Sequence, residues 1–545
     1  MMSTSTNTYP AYIVAFAVLL SSLFVGCDSV LEEEPPSSLS PENFYRSASD
    51  AETALTGAYS LLQSGYTPHS SYPSGRWYRA VNDITGPQIT TFKGPGGQEE
   101  GPLDNWNFKA SQTPLEFIYS NAYIAINGAN AVLDNVPSID MDEERKARIL
   151  GQARFLRGLQ YFMLVRLYGG VPIRDSEIDN VADSTLPRST SNEVYNFVID
   201  DLEQAIEVLP EAGATEYGRA TRGAAQTLLA KVYLQRGSAG TCSICGTRGA
   251  TPESGDYQQA LDLLNAVQSS GAYALVSDYG DLFQEGTEQN DEGIFVVRHR
   301  GQGGNGESIQ NFWNPNNSGW FFGSFTQNWG EVPFFRSYAN EDERRQVSWV
   351  LEYEDNSGET RIYSSEDPEN DNYSEPGPAG EKPLLRRSDI GGWAVNPLDT
   401  PVLRYADVLL MKAEALNEIN GGPTAEAYNL VDEVRNRAEL PGLSRDMDYE
   451  EFKDALFQEH QWEFAQEGKA WNHGQRFFER FTEAVEESAS EFESLPDNAV
   501  PNPADLQIDL PRERTYPLPQ SAIDQNPELE QYPEYGGSFQ PGGGA

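Results

Sequence analysis

The sequence has few cationic side chains for its length. Its 545 residues contain 38 Lys and Arg, of which only 8 are Lys, against 83 Asp and Glu, and the formal net charge is −45. This balance argues against nucleic acid and against an anionic membrane surface as partners. The acids are spread through the whole chain, which favours a protein kept soluble in high salt over one with a local cation-binding function.

Histidine and cysteine are also scarce, and this leaves little material for a metal centre. The 4 histidines have no HExxH-type spacing, and there is no EF-hand loop. Cys242 and Cys245 have the spacing of a metal or redox pair, but no second pair exists. We therefore favour a local disulfide over zinc. We predict no cofactor, although surface carboxylates could hold a structural calcium ion.

Long apolar runs are absent beyond the N-terminus. Residues 12–25 form a run of 14 that ends at small residues, as in a signal-peptide core, although residues 1–11 hold no Lys or Arg. Cys27 follows in a segment that resembles a bacterial lipoprotein processing box. The alternative is a cysteine that happens to follow an apolar run. The predicted organisation is a signal peptide at 1–26, lipidated Cys27 with a tether at 27–41, and one domain at 42–545.

What the chain does contain is a set of helical segments, organised around residues 148–172. Apolar residues in this stretch recur at helical spacing, and its second half is apolar nearly all round, so we expect a buried helix that ends at Gly169. Arg154, Arg157 and Arg166 lie within it. A buried guanidinium needs a carboxylate or a path to water, so we interpret the three as structural.

Further helices are predicted before and after this one. Those at 191–209, 221–235 and 256–267 are joined by short turns and resemble degenerate tetratricopeptide-type hairpins. A strand is predicted at 293–300 in a loop-rich insertion. The remaining predicted helices are at 43–63, 115–135, 404–419, 425–438 and 449–468. The larger predicted regions are helical repeats at about 114–270 and 400–478, the loop-rich insertion at about 271–399 and an aromatic loop segment at 64–113.

Aromatic and amide side chains cluster in the loop segments. Flat aromatic faces stack on sugar rings, and amides or acids hydrogen-bond sugar hydroxyls. For any single tryptophan, packing of a loop onto the helices is the better explanation, but the group as a whole favours a glycan site. The predicted ligand-binding residues are Arg76, Trp77, Tyr78, Asn82, Asn105, Trp106, Trp313, Asn317, Trp320 and Trp329.

Several segments in order resemble the SusD/RagB family of surface lipoproteins that capture nutrients for an outer-membrane transporter. The matching segments follow the Cys27 box and its acidic tether, and they are GQARFLRGLQYFMLVRLYGGVPI at 151–173, GRATRGAAQTLLAKVYLQ at 218–235, PVLRYADVLLMKAEALNE at 401–418, VDEVRNRAEL at 431–440, FQEHQWEFAQEGKAWNHGQRF at 457–477 and YPLPQSAIDQNPELEQ at 516–531. Together they cover the chain from end to end.

The resemblance implies a mostly α fold. It has four degenerate tetratricopeptide-like helix pairs packed against a loop-rich, aromatic-containing half with a few short strands. It implies no catalysis, and it implies docking on a SusC-like, TonB-dependent barrel transporter. Within this fold we expect Asp407 and Glu414 to pair with Arg154 and Arg157 as structural ion pairs, with Glu463 and Glu467 as the other candidates.

The predicted function is capture of oligosaccharide or polysaccharide by a lipoprotein on the outer membrane, facing the cell exterior, for delivery to such a barrel. Three alternatives stay open. The cargo could be peptide instead of glycan. A glycoside hydrolase with an aromatic cleft would need two dedicated carboxylates beside that cleft. A helical-repeat scaffold that binds only protein would have a concave groove without exposed tryptophan.

The charge balance yields the first testable prediction. Because salt screens repulsion between like charges, the thermal unfolding midpoint should fall when ionic strength drops from about 1 M to about 0.01 M, where the Debye length grows from about 3 to about 30 Å. Circular dichroism melts would measure the shift. NaCl and KCl should act alike at equal ionic strength, and an unchanged midpoint in dilute buffer would refute the high-salt interpretation.

Overall fold

A computed structural model describes most of the chain. The described residues are 44–66, 76–91, 99–178, 185–287, 289–299, 313, 315, 318, 320, 328–363, 377–382, 397–491, 506, 508–509 and 514–539. The chain divides into two units, Met1–Arg46 and Ser47–Ala545. In the described part of the first, the rings of Phe44 and Tyr45 pack edge to face. All that follows concerns the second unit.

Helices dominate the described residues, and they begin where polar caps satisfy free backbone N–H groups. Thr190 and Glu193 form a reciprocal capping box, and Asp448 and Glu451 form another. The α-helices are α1 (Ala48–Tyr66), α2 (Arg76–Arg79), α3 (Gly101–Asp104), α4 (Thr113–Asn135), α5 (Glu143–Tyr168), α6 (Ser191–Val208), α7 (Arg222–Gly237), α8 (Asp256–Ser269), α9 (Val332–Ser337), α10 (Glu343–Ser348), α11 (Tyr405–Asn420), α12 (Ala425–Arg437), α13 (Tyr449–Glu463), α14 (Ala470–Gly474), α15 (Phe478–Glu491) and α16 (Gln520–Gln525).

The long helices stack in chain order, which is the packing of tetratricopeptide-type repeats. Helix α4 packs on α5, α5 on α6, α6 on α7 and α7 on α8. Helix α8 then packs on α11, which in turn contacts α12 and α13. Residues 270–404 are therefore inserted between two neighbouring helices of one stack. The buried helix α5 also ends as expected, at Gly169 with φ +71°.

The strands are short and pair only in twos within the described residues. All four pairs are antiparallel: β1–β3, β2–β8, β4–β7 and β5–β6. The predicted strand at 293–300 is confirmed over Gly293–Val297, which form β2. The bounds are β1 (Ile89–Thr91), β2 (Gly293–Val297), β3 (Asn328–Gly330), β4 (Trp349–Val350), β5 (Glu352–Glu354), β6 (Thr360–Ile362), β7 (Ala379–Gly380) and β8 (Thr400–Arg404).

A buried ionic network joins the insertion to the helical stack around Arg404, where β8 passes into α11. The Arg404 guanidinium is fully buried and donates to Glu292 at 2.7 Å, to Glu463 at 2.5 Å and to both carboxylate oxygens of Glu467 at 3.0 Å. Glu463 also accepts from Arg344 at 3.1 Å and from Arg437. Each buried charge thus meets opposite charges, as burial in a medium of low polarity requires.

The carboxyl groups of this network are held ionised. Burial alone would raise the pKa of Glu463, but the guanidiniums of Arg437, Arg404 and Arg344 hold it well below its usual range. The pKa of Glu467 is lowered to about 2, because Arg404 and two lysines outweigh burial. The predicted helix at 449–468 is wrong beyond Glu463, where α13 ends. Gln466 adopts φ +66° and Gly468 φ +70°, so the chain turns back and brings Glu467 to Arg404.

The predicted ion pairs of the central helix are wrong. Arg157 on α5 pairs with Asp201 on α6 through two hydrogen bonds of 2.7 and 2.8 Å. Arg154 is half-buried. Burial lowers its pKa, and the charge of the same carboxylate, Asp201, opposes that shift. Arg157 pairs with Asp201 because α6, which carries Asp201, packs directly on α5.

The acids assigned to those arginines have other partners. Asp407 accepts from Lys469 at 2.8 Å and from Lys231 at 3.3 Å. Glu414 accepts two hydrogen bonds from Arg476, at 2.8 and 3.0 Å. All these groups are buried, so the expectation of structural ion pairs at Asp407 and Glu414 holds with different bases.

Removal of the Glu463 carboxylate should destabilise the fold strongly. We expect Glu463→Gln to lower the free energy of unfolding by about 3–5 kcal/mol, because the buried guanidiniums of Arg344, Arg404 and Arg437 lose a shared counter-charge. Urea denaturation followed by circular dichroism measures this. The matched control is Glu483→Gln on α15, whose exposed pair with Arg480 should contribute about 1 kcal/mol or less. Equal effects of the two substitutions would contradict the network's role.

Candidate functional site

The first predicted aromatic segment lies inside the fold. Trp77 is 1% exposed and Tyr78 is 7% exposed. Asn82, in the π-helical turn Ala80–Ile84, is fully buried, and its Nδ2 donates to the backbone oxygen of Tyr78 at 2.7 Å. The side chain of Arg76 lies outside the described residues. The expectation that Trp77, Tyr78 and Asn82 face solvent is wrong, because this segment packs as a helical turn against the helices.

Trp106 is a core residue as well. Its indole is fully buried, and Nε1 donates to the Thr85 carbonyl oxygen at 2.9 Å. The ring packs against Trp471 at a centroid distance of 5.6 Å and against Phe108 at 5.8 Å. Its backbone has φ +54°, an unusual conformation for a bulky residue, which packing on all sides maintains. Its neighbour Asn105 is half-buried.

Trp313 and Trp329 are each 2% exposed, so the expectation of exposure is wrong for them too. They lie against glycines: a Cβ on Gly380 would collide with the ring of Trp313, and a Cβ on Gly377 would press on Trp329. Trp349 covers Gly330 in the same way. Glycine offers a flat surface on which an indole can lie. The loop-rich half therefore has its own core, made of tryptophans placed on glycines.

Trp320 is the predicted tryptophan that keeps an accessible face. It is half-buried, unlike Trp77, Trp106, Trp313 and Trp329. Its ring meets the ring of Tyr353 on β5 edge to face at 5.8 Å, and Tyr353 is 4% exposed. The buried ring of Tyr353 thus packs against the Trp320 ring. Asn317 lies outside the described residues. Trp320 can therefore offer an aromatic surface to a ligand from a supported position.

A polar cluster lies at one end of the β1–β3 ladder, where Thr91 pairs with Asn328. The buried carboxylate of Glu100 accepts from Thr91 Oγ1 at 3.0 Å and from Asn328 Nδ2 at 2.9 Å. Asp104 accepts from Thr91 N at 3.1 Å. Segments 92–98 and 321–327, outside the described residues, continue from Thr91 and Asn328. The ladder therefore brings the predicted loop segments together at their attachment points.

Sequence reasoning missed this cluster. The signal was present, because Glu100 and Asp104 are spaced by four residues directly before the Asn-Trp-Asn motif at 105–107. The other end of β3 carries Glu331, which is 6% exposed and accepts from Ser488 Oγ at 2.9 Å. Burial and the nearby charge of Asp104 raise the pKa of Glu331 well above its usual range. Burial and the charge of Asp104 thus favour the protonated form of Glu331.

The cysteine and histidine residues have structural settings. Cys242 and Cys245 form a disulfide, as predicted, and the Cys245 carbonyl oxygen accepts from Arg514 Nη2 at 2.7 Å. His460 and His473 are buried with ring centroids 4.5 Å apart, and burial lowers the pKa of both. In the described ranges, no group of three or more His, Cys, Asp or Glu could hold a metal ion. Cys27 lies outside those ranges.

The two kinds of tryptophan should respond differently to truncation. Trp106→Ala should lower the free energy of unfolding by about 3–5 kcal/mol, because it empties a filled core site and removes a buried hydrogen bond. Trp320→Ala should cost about 1 kcal/mol or less. Thermal and urea denaturation of both variants measure this. A Trp106→Ala variant as stable as the wild type would restore Trp106 to the list of exposed site residues.

Known proteins are similar to this chain in sequence. Residues 31–234 match the family model described as "Starch-binding associating with outer membrane", and residues 284–535 match the model of the SusD family. SusD-like protein P2 of Formosa agariphila is 28% identical over 488 residues, covering 84% of this chain and 89% of that protein. No helix in the described part of the chain is both long and apolar enough to cross a membrane.

Solved structures have the same architecture. A laminarin-binding SusD-like protein aligns over 90% of this chain and 100% of its own, with a TM-score of 0.71 and 22% identity. A SusD homolog from Bacteroides thetaiotaomicron aligns over 90% of this chain and 98% of its own, with a TM-score of 0.74 and 21% identity. These likenesses concern the fold. Together with the two family models, which match most of the sequence, they lead to one conclusion: the chain belongs to the SusD/RagB family.

Proposed function

We propose that the protein is a lipid-anchored receptor on the outer membrane that binds oligosaccharide or polysaccharide and passes it to a SusC-like, TonB-dependent barrel. The observation that carries the glycan assignment is the half-buried Trp320, supported by Tyr353. A supported aromatic face is what a sugar ring stacks on. Membership of a family whose related proteins include laminarin binders and starch binders agrees with this choice.

Buried polar groups at the β1–β3 ladder support the proposed site. Glu100 and Asp104 arrange Thr91 and Asn328 at the point where two loop segments join the sheet. Glu100, Thr91 and Asn328 are buried, so in this proposal they fix the attachment points of those segments and do not contact the glycan. In this proposal Trp320 supplies stacking, and the loop segments that carry Asn317 and the residues after Thr91 supply hydrogen bonds. Trp77, Trp106, Trp313 and Trp329 hold the scaffold that positions them.

The anchor and the transporter complete the proposal. Lipidated Cys27 would hold the protein on the membrane without a spanning segment. The tether at 27–41 could reach at most about 50 Å if fully extended, enough for the folded unit to move above a barrel while attached. The strongly acidic composition, with a net charge of −45, agrees with placement away from an anionic lipid surface.

A binding role suits the carboxyl groups better than hydrolysis does. Glycoside hydrolysis needs an acid with a raised pKa and a second carboxylate, both beside the scissile bond. Glu331 has the raised pKa, but it is 6% exposed and occupied by Ser488. The proposal therefore assigns Glu331 and Asp104 to the structure of the ladder and assigns no catalysis to the site.

Loss of the half-buried Trp320 indole should weaken glycan binding. Trp320→Ala should raise the dissociation constant for the recognised polysaccharide by about tenfold, because a stacking partner is removed. Affinity gel electrophoresis against a panel that includes laminarin and starch would find the ligand, and isothermal titration would measure the constant.

The matched control is Trp320→Phe, which keeps a flat face and should retain most of the affinity. A reducing-sugar assay on the same panel should show no release of ends. The proposal fails if Trp320→Ala binds the recognised glycan as tightly as the wild type, if no glycan in a broad panel binds, or if reducing ends accumulate.

A further inference from the structure

A pocket of about 270 Å³ lies between helices α9, α13 and α15, and its described lining residues include none of the predicted ligand-binding residues. Its lining mixes aromatic and proline surfaces with amide, hydroxyl and charged groups. The residues that carry the argument are Phe334, Phe457, Arg336, Gln458, Gln461 and Glu487.

One buried donor on this pocket has no partner. Gln461 is 1% exposed, and its Oε1 accepts from Gln88 Nε2 at 2.8 Å. The same Gln88 donor reaches the Gln461 backbone oxygen at 3.1 Å. Gln461 Nε2 is buried and makes no hydrogen bond. A buried amide donor left without an acceptor costs free energy. Because Gln461 lines the pocket, an acceptor that enters the pocket and reaches Nε2 would recover this hydrogen bond.

The lining of the pocket combines apolar and polar surface. Phe334 and Phe457 are each 6% exposed and contribute apolar surface. Ser337 Oγ donates to the Phe334 carbonyl oxygen at 2.7 Å, accepts from the half-buried Trp462 through Nε1 at 2.9 Å and is 3.4 Å from Gln458 Nε2. A lining that combines apolar surface with amide and charged groups suits a pyranose ring, which has C–H faces and hydroxyl edges.

The charge of the lining and the volume of the pocket limit which ligands it can hold. The lining carries one cation, Arg336, and one anion, Glu487, among its described residues, which favours a neutral ligand over an anion. The polar groups of the lining disfavour a hydrocarbon chain as the ligand. A volume of 270 Å³ lies just below the range of about 300–1,000 Å³ for drug-sized ligands, so the pocket suits a single ring. We propose that this pocket binds one sugar ring of a neutral saccharide, as a site separate from Trp320.

The test uses the full-length protein carrying Trp320→Ala, so that the aromatic site does not contribute. Saturation-transfer difference NMR with methyl glucosides, galactosides and mannosides at about 20 mM should detect binding of at least one, because so small a ligand is expected to bind with a dissociation constant of order 1 mM or weaker. Addition of Ala484→Phe, which fills the pocket from α15, should abolish the signal. Ala489→Phe, on the same helix and outside the described lining, is the matched control and should leave the signal unchanged.

A second variant reports on the donor itself. Gln461→Met keeps the side-chain length and leaves Gln88 its backbone acceptor, and it should raise the dissociation constant about tenfold through loss of one buried hydrogen bond. Thermal melts confirm that each variant is folded. The proposal is overturned if no glycoside in the panel gives a signal, if Ala484→Phe leaves the signal intact, or if N-acetylglycine amide binds and the sugars do not. Each of these outcomes leaves the role of Trp320 to be decided by its own variants.

Discussion

The meeting of Arg404 with Glu292, Glu463 and Glu467 is the interaction on which the two halves of the fold depend. Arg404 stands at the junction of β8 and α11, Glu292 precedes β2 in the insertion, and Glu463 ends α13. Three separated parts of the chain must therefore be in place before all of these charges are compensated. A buried charge without its partner is expensive, so partly docked arrangements of insertion and stack are disfavoured. The network thereby specifies one docking geometry.

Helix positions could be predicted from sequence because they depend on local signals. Apolar spacing, caps such as Thr190 with Glu193, and the stop at Gly169 act within a few residues. The pairing of arginines with acids could not be predicted, because each guanidinium had many acids available in so acidic a chain. The choice of Asp201 over Asp407 for Arg157 is set by which helix packs on which.

The tryptophans show the same limit in another form. Trp313 and Trp320 sit in similar polar, glycine-rich sequence, yet one is 2% exposed and the other half-buried. The difference comes from Gly380, 67 residues further along the chain, which lies against the ring of Trp313. Local composition cannot reveal so distant a contact. The family resemblance predicted the fold correctly and, in the same way, could not decide which aromatic rings face a ligand.

The direct packing of α8 on α11 has an evolutionary consequence. The insertion between them begins and ends at adjacent helices, and the β2–β8 ladder joins its two ends. Lengthening, shortening or exchanging the segments beyond that ladder leaves the helix-to-helix packing in place as long as the buried pairing of Arg344 with α13 is kept. Selection could therefore alter the proposed ligand site by changing one insertion, while the surfaces of the helical scaffold stay the same.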